Sequence, residues 1–292
     1  MPLVMEETPG GNLQNAHYLA AASDLAYYNA PEGPQKFKDE LGLDAKLFSV
    51  GNTQAYVATD DDHIVVAFRG TESPTSIEGL KDWLLTDAND FLIMPEGRNS
   101  TDFAAAGVGA RFHKGFMTAL ADIWDSVYAA TEEELKKKER PLWVTGHSLG
   151  GSLALLASWR FLRKTTDVYR VYTFGAPMVG NDTAVKAFDK ELEGKVYRFV
   201  HGPDIVPKLP TVSLVANSYG HCLKEIHVGV VQAAAAAAES AHDFFSKLAA
   251  GAGEVIDKVR VDKIWERLMQ GVSAHDITKY RAQIAEKMKE NA

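Results

Sequence analysis

Between Pro141 and Val200 the chain alternates short, almost wholly apolar runs with longer amphipathic ones. The runs PLWVTG, VYRVYTFG and KVYRFV are too short for helices and too continuously apolar for strands with one wet face. They read as strands of a sheet covered on both sides. The intervening segments, Leu149 to Lys164 and Asn181 to Leu192, carry helical spacing. A parallel pair needs a crossover of about a dozen residues, and a helix supplies one. The expected fold class is therefore α/β, with a mostly parallel central sheet flanked by helices.

The flanking sequence extends this pattern. Asn12 to Asn29 reads as an opening helix, and AKLFSV, TQAYVAT and HIVVAFRG read as further strands. Asp60, Asp61 and Asp62 join the last two, as a solvated turn rather than a cation site. His113 to Arg140 reads as a long helix, and Glu132, Glu133 and Glu134 each have a lysine four residues on, which marks a solvated face. From Val228 the chain is alanine-rich and reads as helical, interrupted at Gly251 and Gly253 and ended by Gly271. No linker composition and no repeat divides the chain. One domain over 1–292 is expected, with 228–270 a candidate helical insertion.

Composition narrows the partners. A formal charge of −8 disfavours nucleic acid. Cys222 is the single cysteine, so an internal disulfide and a cysteine metal cluster are both excluded. The first residues, MPLVMEETPGGNLQ, lack a basic segment leading into an apolar one, and the weakly charged run Ile226 to Ala238 is too short to span a bilayer. These features give the expectation of a cytoplasmic protein with no transmembrane segment, with secretion after removal of a leader as the alternative.

The chemistry centres on Gly146-His147-Ser148-Leu149-Gly150, a G-x-S-x-G pattern where a strand passes into a helix. Such a turn holds its serine in a strained conformation that small neighbours permit, and projects the hydroxyl above the sheet's C-terminal edge. The Leu149 amide, at the helix start, can stabilise an oxyanion there. Serine needs a base, and the base needs an orienting acid. In the α/β-hydrolase chain order the acid and then the histidine follow the serine. YRFVHGPDIVPKLP supplies Asp204 in a rigid loop after a strand, whereas Asp182 and Asp189 fall on a helix. His221, His227, His242 and His275 follow. His275, in a loop ahead of the last helix, is favoured over the others only modestly.

Seven ordered motifs resemble the lipase class 3 family, the fungal-lipase-like branch of α/β-hydrolases: VVAFRGT, LKDWLLTD, FHKGF, GHSLGG, TFGAPMVGN, HGPDIVPKLP and HDITKY. The resemblance implies a serine carboxylic-ester hydrolase acting on lipid esters, with no metal and no organic cofactor. It carries Ser148 as nucleophile, Asp204 as orienting acid, His275 as base, and Thr71 as a second oxyanion donor beside Leu149. The sequence departs from the secreted fungal enzymes in lacking their cysteines and leader, so extracellular fat digestion is not expected. Glu96 to Arg111 and the alanine-rich segment look like additions that reshape the acyl pocket.

SPTSIEGLKDWLLTD contributes a lid candidate over 73–90. Ile77, Leu80 and Leu84 share one helical face with Trp83 beside it, and Glu78 and Asp82 lie on the other side. In this reading a lipid interface makes transient contact with the protein through that face. A triacylglycerol lipase or esterase is the leading expectation. The alternatives are a phospholipase or acyltransferase with the same triad, and a catalytically silent lipid- or partner-binding scaffold.

Overall fold

The computed structural model describes residues 2–6, 11–71, 92–95, 100–202, 204, 206–208, 219–229 and 273–291. Its centre is a seven-stranded sheet whose strands lie side by side in chain order. β1 (Asp44–Val50), β2 (Thr53–Thr59) and β3 (Ile64–Phe68) pair antiparallel. β4 (Leu142–His147), β5 (Arg170–Phe174), β6 (Val196–His201) and β7 (Lys224–Val228) continue from β3 as parallel neighbours. Among the described residues four two-residue strands, at Leu92–Ile93, Phe112–His113, Gly180–Asn181 and Tyr219–Gly220, form a second small sheet.

Although the central strands are apolar throughout, their side chains separate into two cores by strict alternation. Ile64, Val66, Phe68, Leu142, Val144, Val171 and Val196 point to one face. There they meet α3 (Lys114–Lys137), α4 (Leu149–Arg163) and α5 (Asp182–Glu191). Val65, Ala67, Trp143, Tyr172, Phe174, Tyr197 and Phe199 point to the other. That face is covered by α1 (Leu13–Leu25), α2 (Glu32–Leu41) and α6 (Ile277–Glu290). A sheet buried on both faces is what the unbroken apolar strands require.

Local chemistry sets several boundaries. The Asn12 side chain accepts from Gln14 N and Asn15 N and starts α1, which ends at Leu25, short of the expected Asn29. The Asp60 carboxylate accepts from the backbone of Asp62 and His63 and so closes the β2–β3 turn. Glu133 pairs with Lys137 at 3.0 Å as the spacing suggests, whereas Glu134 reaches Lys137 and Arg140 and Glu132 accepts from the Thr166 hydroxyl. α2 was not expected. It buries only Gly33 and Phe37, too thin a stripe to show as periodicity. Val228, expected to open a helix, instead ends β7. The remainder of the alanine-rich segment beyond Gly229, and the whole of the lid candidate with Ile77, Leu80, Trp83 and Leu84, lie outside the described residues.

Candidate active site

Ser148 is the single residue between β4 and α4, at φ 58° and ψ −132°. A side chain in that region costs on the order of 1–3 kcal/mol and persists only where its surroundings dictate it. Here they do. Ser148 N donates to Phe174 O of β5 at 2.9 Å, and Gly151 N donates to Ser148 O at 2.9 Å. A Cβ on Gly146 would collide with the Gly150 carbonyl, and one on Gly150 with the Phe68 carbonyl. The flanking glycines are demanded by backbone approach, since neither has a positive φ. Ser148 does not cap α4 with its side chain. Leu149 N, in the first helical turn, has no intrahelical carbonyl to bond.

Asp204 follows β6 and is fully buried. Its Oδ1 accepts from Val206 N at 2.9 Å. Its Oδ2 lies 2.7 Å from His275 Nδ1 and accepts from the Tyr280 hydroxyl at 2.5 Å. His275 ends the turn Ser273–His275 ahead of α6 and is buried. A carboxylate only accepts, so His275 Nδ1 carries the proton and Nε2 of the neutral ring holds the lone pair. That Nε2 is buried and has no hydrogen-bond partner among the described residues. Behind the pair lies Gly175, at φ +62°, where a Cβ would come within 2.9 Å of both Asp204 Oδ2 and His275 Nδ1.

Two further contacts bring the pieces together. The His147 ring, next to Ser148 in the chain, packs against the His275 ring at 4.5 Å between centroids. A Cβ on Gly70 would meet Ser148 Cβ at 3.0 Å. The half-buried Thr71 therefore starts from beside the serine. Two imidazoles also hold the His275 turn through its backbone, with His147 Nε2 at 2.6 Å from His275 O and His201 Nδ1 at 3.0 Å from Ala274 O.

The other candidates serve the framework. Asp189 accepts from Leu223 N at 2.7 Å, and Asp182 opens α5. His221 Nε2 donates to Pro207 O, bracing the turn after Asp204, and burial pulls its pKa down to about 3. His227 pairs with Glu225 at 2.8 Å on the surface. His242 lies outside the described residues. Sequence reasoning missed Tyr27, Gly70, Gly175, His147 and His201. Gly70, His147, Gly175 and His201 lie inside quoted motifs and could have been singled out, whereas Tyr27 carried no signal.

The strained Ser148 follows His147, whose ring packs on that of His275, and a buried carboxylate holds His275 Nδ1. A serine, a histidine and a carboxylate are the residue types that nucleophilic acyl transfer needs. Comparison with known proteins agrees on the kind of protein this is. The pattern defining the family Lipase (class 3) matches residues 65–214, about half of the chain. The chain belongs to this family. Class 3 lipases are carboxylic-ester hydrolases of the α/β-hydrolase fold, and the mostly parallel, helix-flanked sheet found here is of that kind. Secreted mono- and diacylglycerol lipase 1 of Fusarium solani is 36% identical over 163 residues, covering 54% of this chain and 43% of that protein. Secreted mono- and diacylglycerol lipase MDL3 of Malassezia globosa is 34% identical over 200 residues, covering 66% of this chain and 63% of that protein. The match thus spans less than two thirds of either relative. Among solved structures, Lip2 lipase from Yarrowia lipolytica superposes with a TM-score of 0.64 at 21% identity, covering 78% of this chain and 83% of that one, which shows the shared fold.

These relatives correct one expectation. They are named as secreted proteins, which overturns the cytoplasmic assignment. That assignment rested on the composition of the first residues and the scarcity of cysteine, and neither property bears on where a buried, disulfide-free core can fold. Among the described residues no helix is long and apolar enough to cross a membrane.

Proposed function

We propose that this chain is an active serine hydrolase of lipid esters that works through Ser148, His275 and Asp204. Ser148 Oγ attacks the ester carbonyl while His275 Nε2 takes its proton. The tetrahedral oxyanion is received by Leu149 N–H and by Thr71. His275 then gives the proton to the leaving alcohol, and an acyl-Ser148 ester remains. Water, deprotonated by the same nitrogen, releases the acid and restores the serine. Asp204 keeps the Nδ1 proton in place and stabilises the imidazolium, and Tyr280 holds the carboxylate on its other lone pair. The observation that carries this reading is a buried histidine Nε2, without a hydrogen-bond partner among the described residues, on a ring whose Nδ1 is 2.7 Å from a fully buried carboxylate.

The substrate class follows the relatives' names: mono- and diacylglycerols are the proposed substrates, with triacylglycerols and simple esters to be compared. The domain is taken to run over 1–292, and 73–90 to act as a lid that meets a lipid interface. Rates over p-nitrophenyl esters of increasing acyl length, then over mono-, di- and trioleoylglycerol emulsions, test this. Preference for partial glycerides supports the reading. Hydrolysis confined to short soluble esters, with no glyceride turnover, contradicts the lipid assignment.

A further inference from the structure

His147, the residue before the serine, is enclosed in the fold yet takes no part in the proton transfers above. Both its ring nitrogens are engaged. Nε2 faces the carbonyl oxygen of His275 at 2.6 Å, and since a carbonyl only accepts, this nitrogen carries the proton. Burial holds the ring's pKa well below the usual histidine range, and His275 adds to the effect. The ring is therefore neutral and its Nδ1 is an acceptor. The Tyr27 hydroxyl, 2.9 Å away, donates to it. That hydroxyl also fills the space that a Cβ on Gly70 would need, so it packs against the Gly70 backbone. Polarity is consistent from the Tyr27 hydroxyl to His147 and on to the His275 carbonyl, and Gly70 packs against the start of that path.

Each contact along the path ends on a different part of the site. Gly70 precedes Thr71, His147 precedes Ser148, and the last carbonyl belongs to His275 itself. Tyr27 comes from the chain just beyond α1, which packs on the opposite face of the sheet from α4. We propose that Tyr27 and His147 are positioning residues, a buried bridge that holds the Thr71 loop, the Ser148 turn and the His275 turn in one register. The proposal rests on the hydrolase reading above, because turnover is what the register serves. Asp204 alone fixes one ring nitrogen of His275, whereas the bridge fixes the backbone from which that ring projects. The neutral state of His147 matters as well. Its ring packs on His275 at 4.5 Å, and a cation there would oppose the imidazolium that must form on His275.

Three variants test the bridge: Tyr27→Phe, His147→Phe and His147→Gln, with kcat and KM measured on a p-nitrophenyl ester and folding followed by thermal melting. Misplacing a reacting group by about 1 Å costs up to about 10²-fold in rate. His147→Phe is expected to lower kcat by about that factor with KM nearly unchanged. Tyr27→Phe removes one oxygen atom and no packing volume, and is expected to lower kcat about tenfold, as loss of one well-placed hydrogen bond does. His147→Gln should recover most of the rate, because its amide nitrogen can reach the His275 carbonyl as Nε2 does. If His147→Phe fails to fold, Tyr27→Phe decides. Values of kcat within about twofold of wild type in the folded Phe variants overturn the bridge, given that one hydrogen bond is worth roughly tenfold. A wild-type chain whose Ser148 resists a fluorophosphonate overturns the hydrolase reading, and the bridge with it.

Discussion

The turn that carries Ser148 and the turn that carries His275 are held by opposite means. At Ser148 the backbone holds itself. Strand and helix meet with one residue between them, and Gly146 and Gly150 allow carbonyls to fill the positions where Cβ atoms would stand. At His275 a three-residue turn is held almost entirely by side chains from elsewhere: Asp204 on the ring, His147 and His201 on the carbonyls. The first kind of turn is written within five consecutive residues. The second is written across the whole chain, and it tolerates a looser local sequence.

The two turns are expected to break differently, and the largest effect concerns the base. His275→Ala should lower kcat/KM by about 10⁴–10⁶ with little change in melting temperature, as triad losses in serine hydrolases do. His221→Ala should do the reverse, costing stability through the Pro207 contact and sparing the rate. An inactive, fully stable His221→Ala would mean the base had been misassigned.

Next comes the self-held turn. Gly150→Ala drives a methyl into the Phe68 carbonyl in a region without slack. A clash against backbone in a packed core costs about 3 kcal/mol or more, so soluble expression or melting temperature should fall sharply. A Gly150→Ala protein with wild-type stability would show that the turn has room, and the comparison would fail on that side.

Thr71→Val keeps the volume and deletes the hydroxyl. If that hydroxyl meets the oxyanion, kcat should fall by roughly 10²–10³ at nearly constant KM. A loss below fivefold would leave Thr71 donating through its backbone alone.

The smallest effect is a pH dependence of stability carried by His221. Burial lowers the folded pKa of His221 to about 3 from an ordinary 6.5, so the fold binds its neutral form. The unfolded chain takes up the proton first on acidification. Stability from this residue is therefore complete above pH 6.5 and is lost as pH falls toward 3. The slope is up to about 1.4 kcal/mol per pH unit while only the unfolded chain is protonated. Melting temperature between pH 6.5 and 5 should fall less steeply in His221→Gln than in wild type. Equal slopes would show that the ring is not held neutral.

The same contrast explains what could be read from the sequence. TQAYVAT matches β2 residue for residue, and the β4–Ser148–α4 unit lies where GHSLGG indicated, because period and glycine placement are local signals. The pairing of Asp204 with His275 spans 71 positions, and the residues alone left four histidines open. Family resemblance, not periodicity, singled out His275. α2 escaped notice because a helix that buries Phe37 and little else has no stripe to detect. Tyr27 escaped because its role exists only after α1 is packed across the sheet from Ser148.

The central claim is that Ser148 is a nucleophile activated by His275. Labelling of the native protein with a fluorophosphonate, followed by peptide mapping, tests it most directly. The account predicts a single modified peptide carrying Ser148, no label in Ser148→Ala, and labelling slowed at least about a hundredfold in His275→Ala, in keeping with the share of rate a general base supplies. Folded wild-type protein that takes no label, or a Ser148 that labels as fast without His275 as with it, would contradict the account.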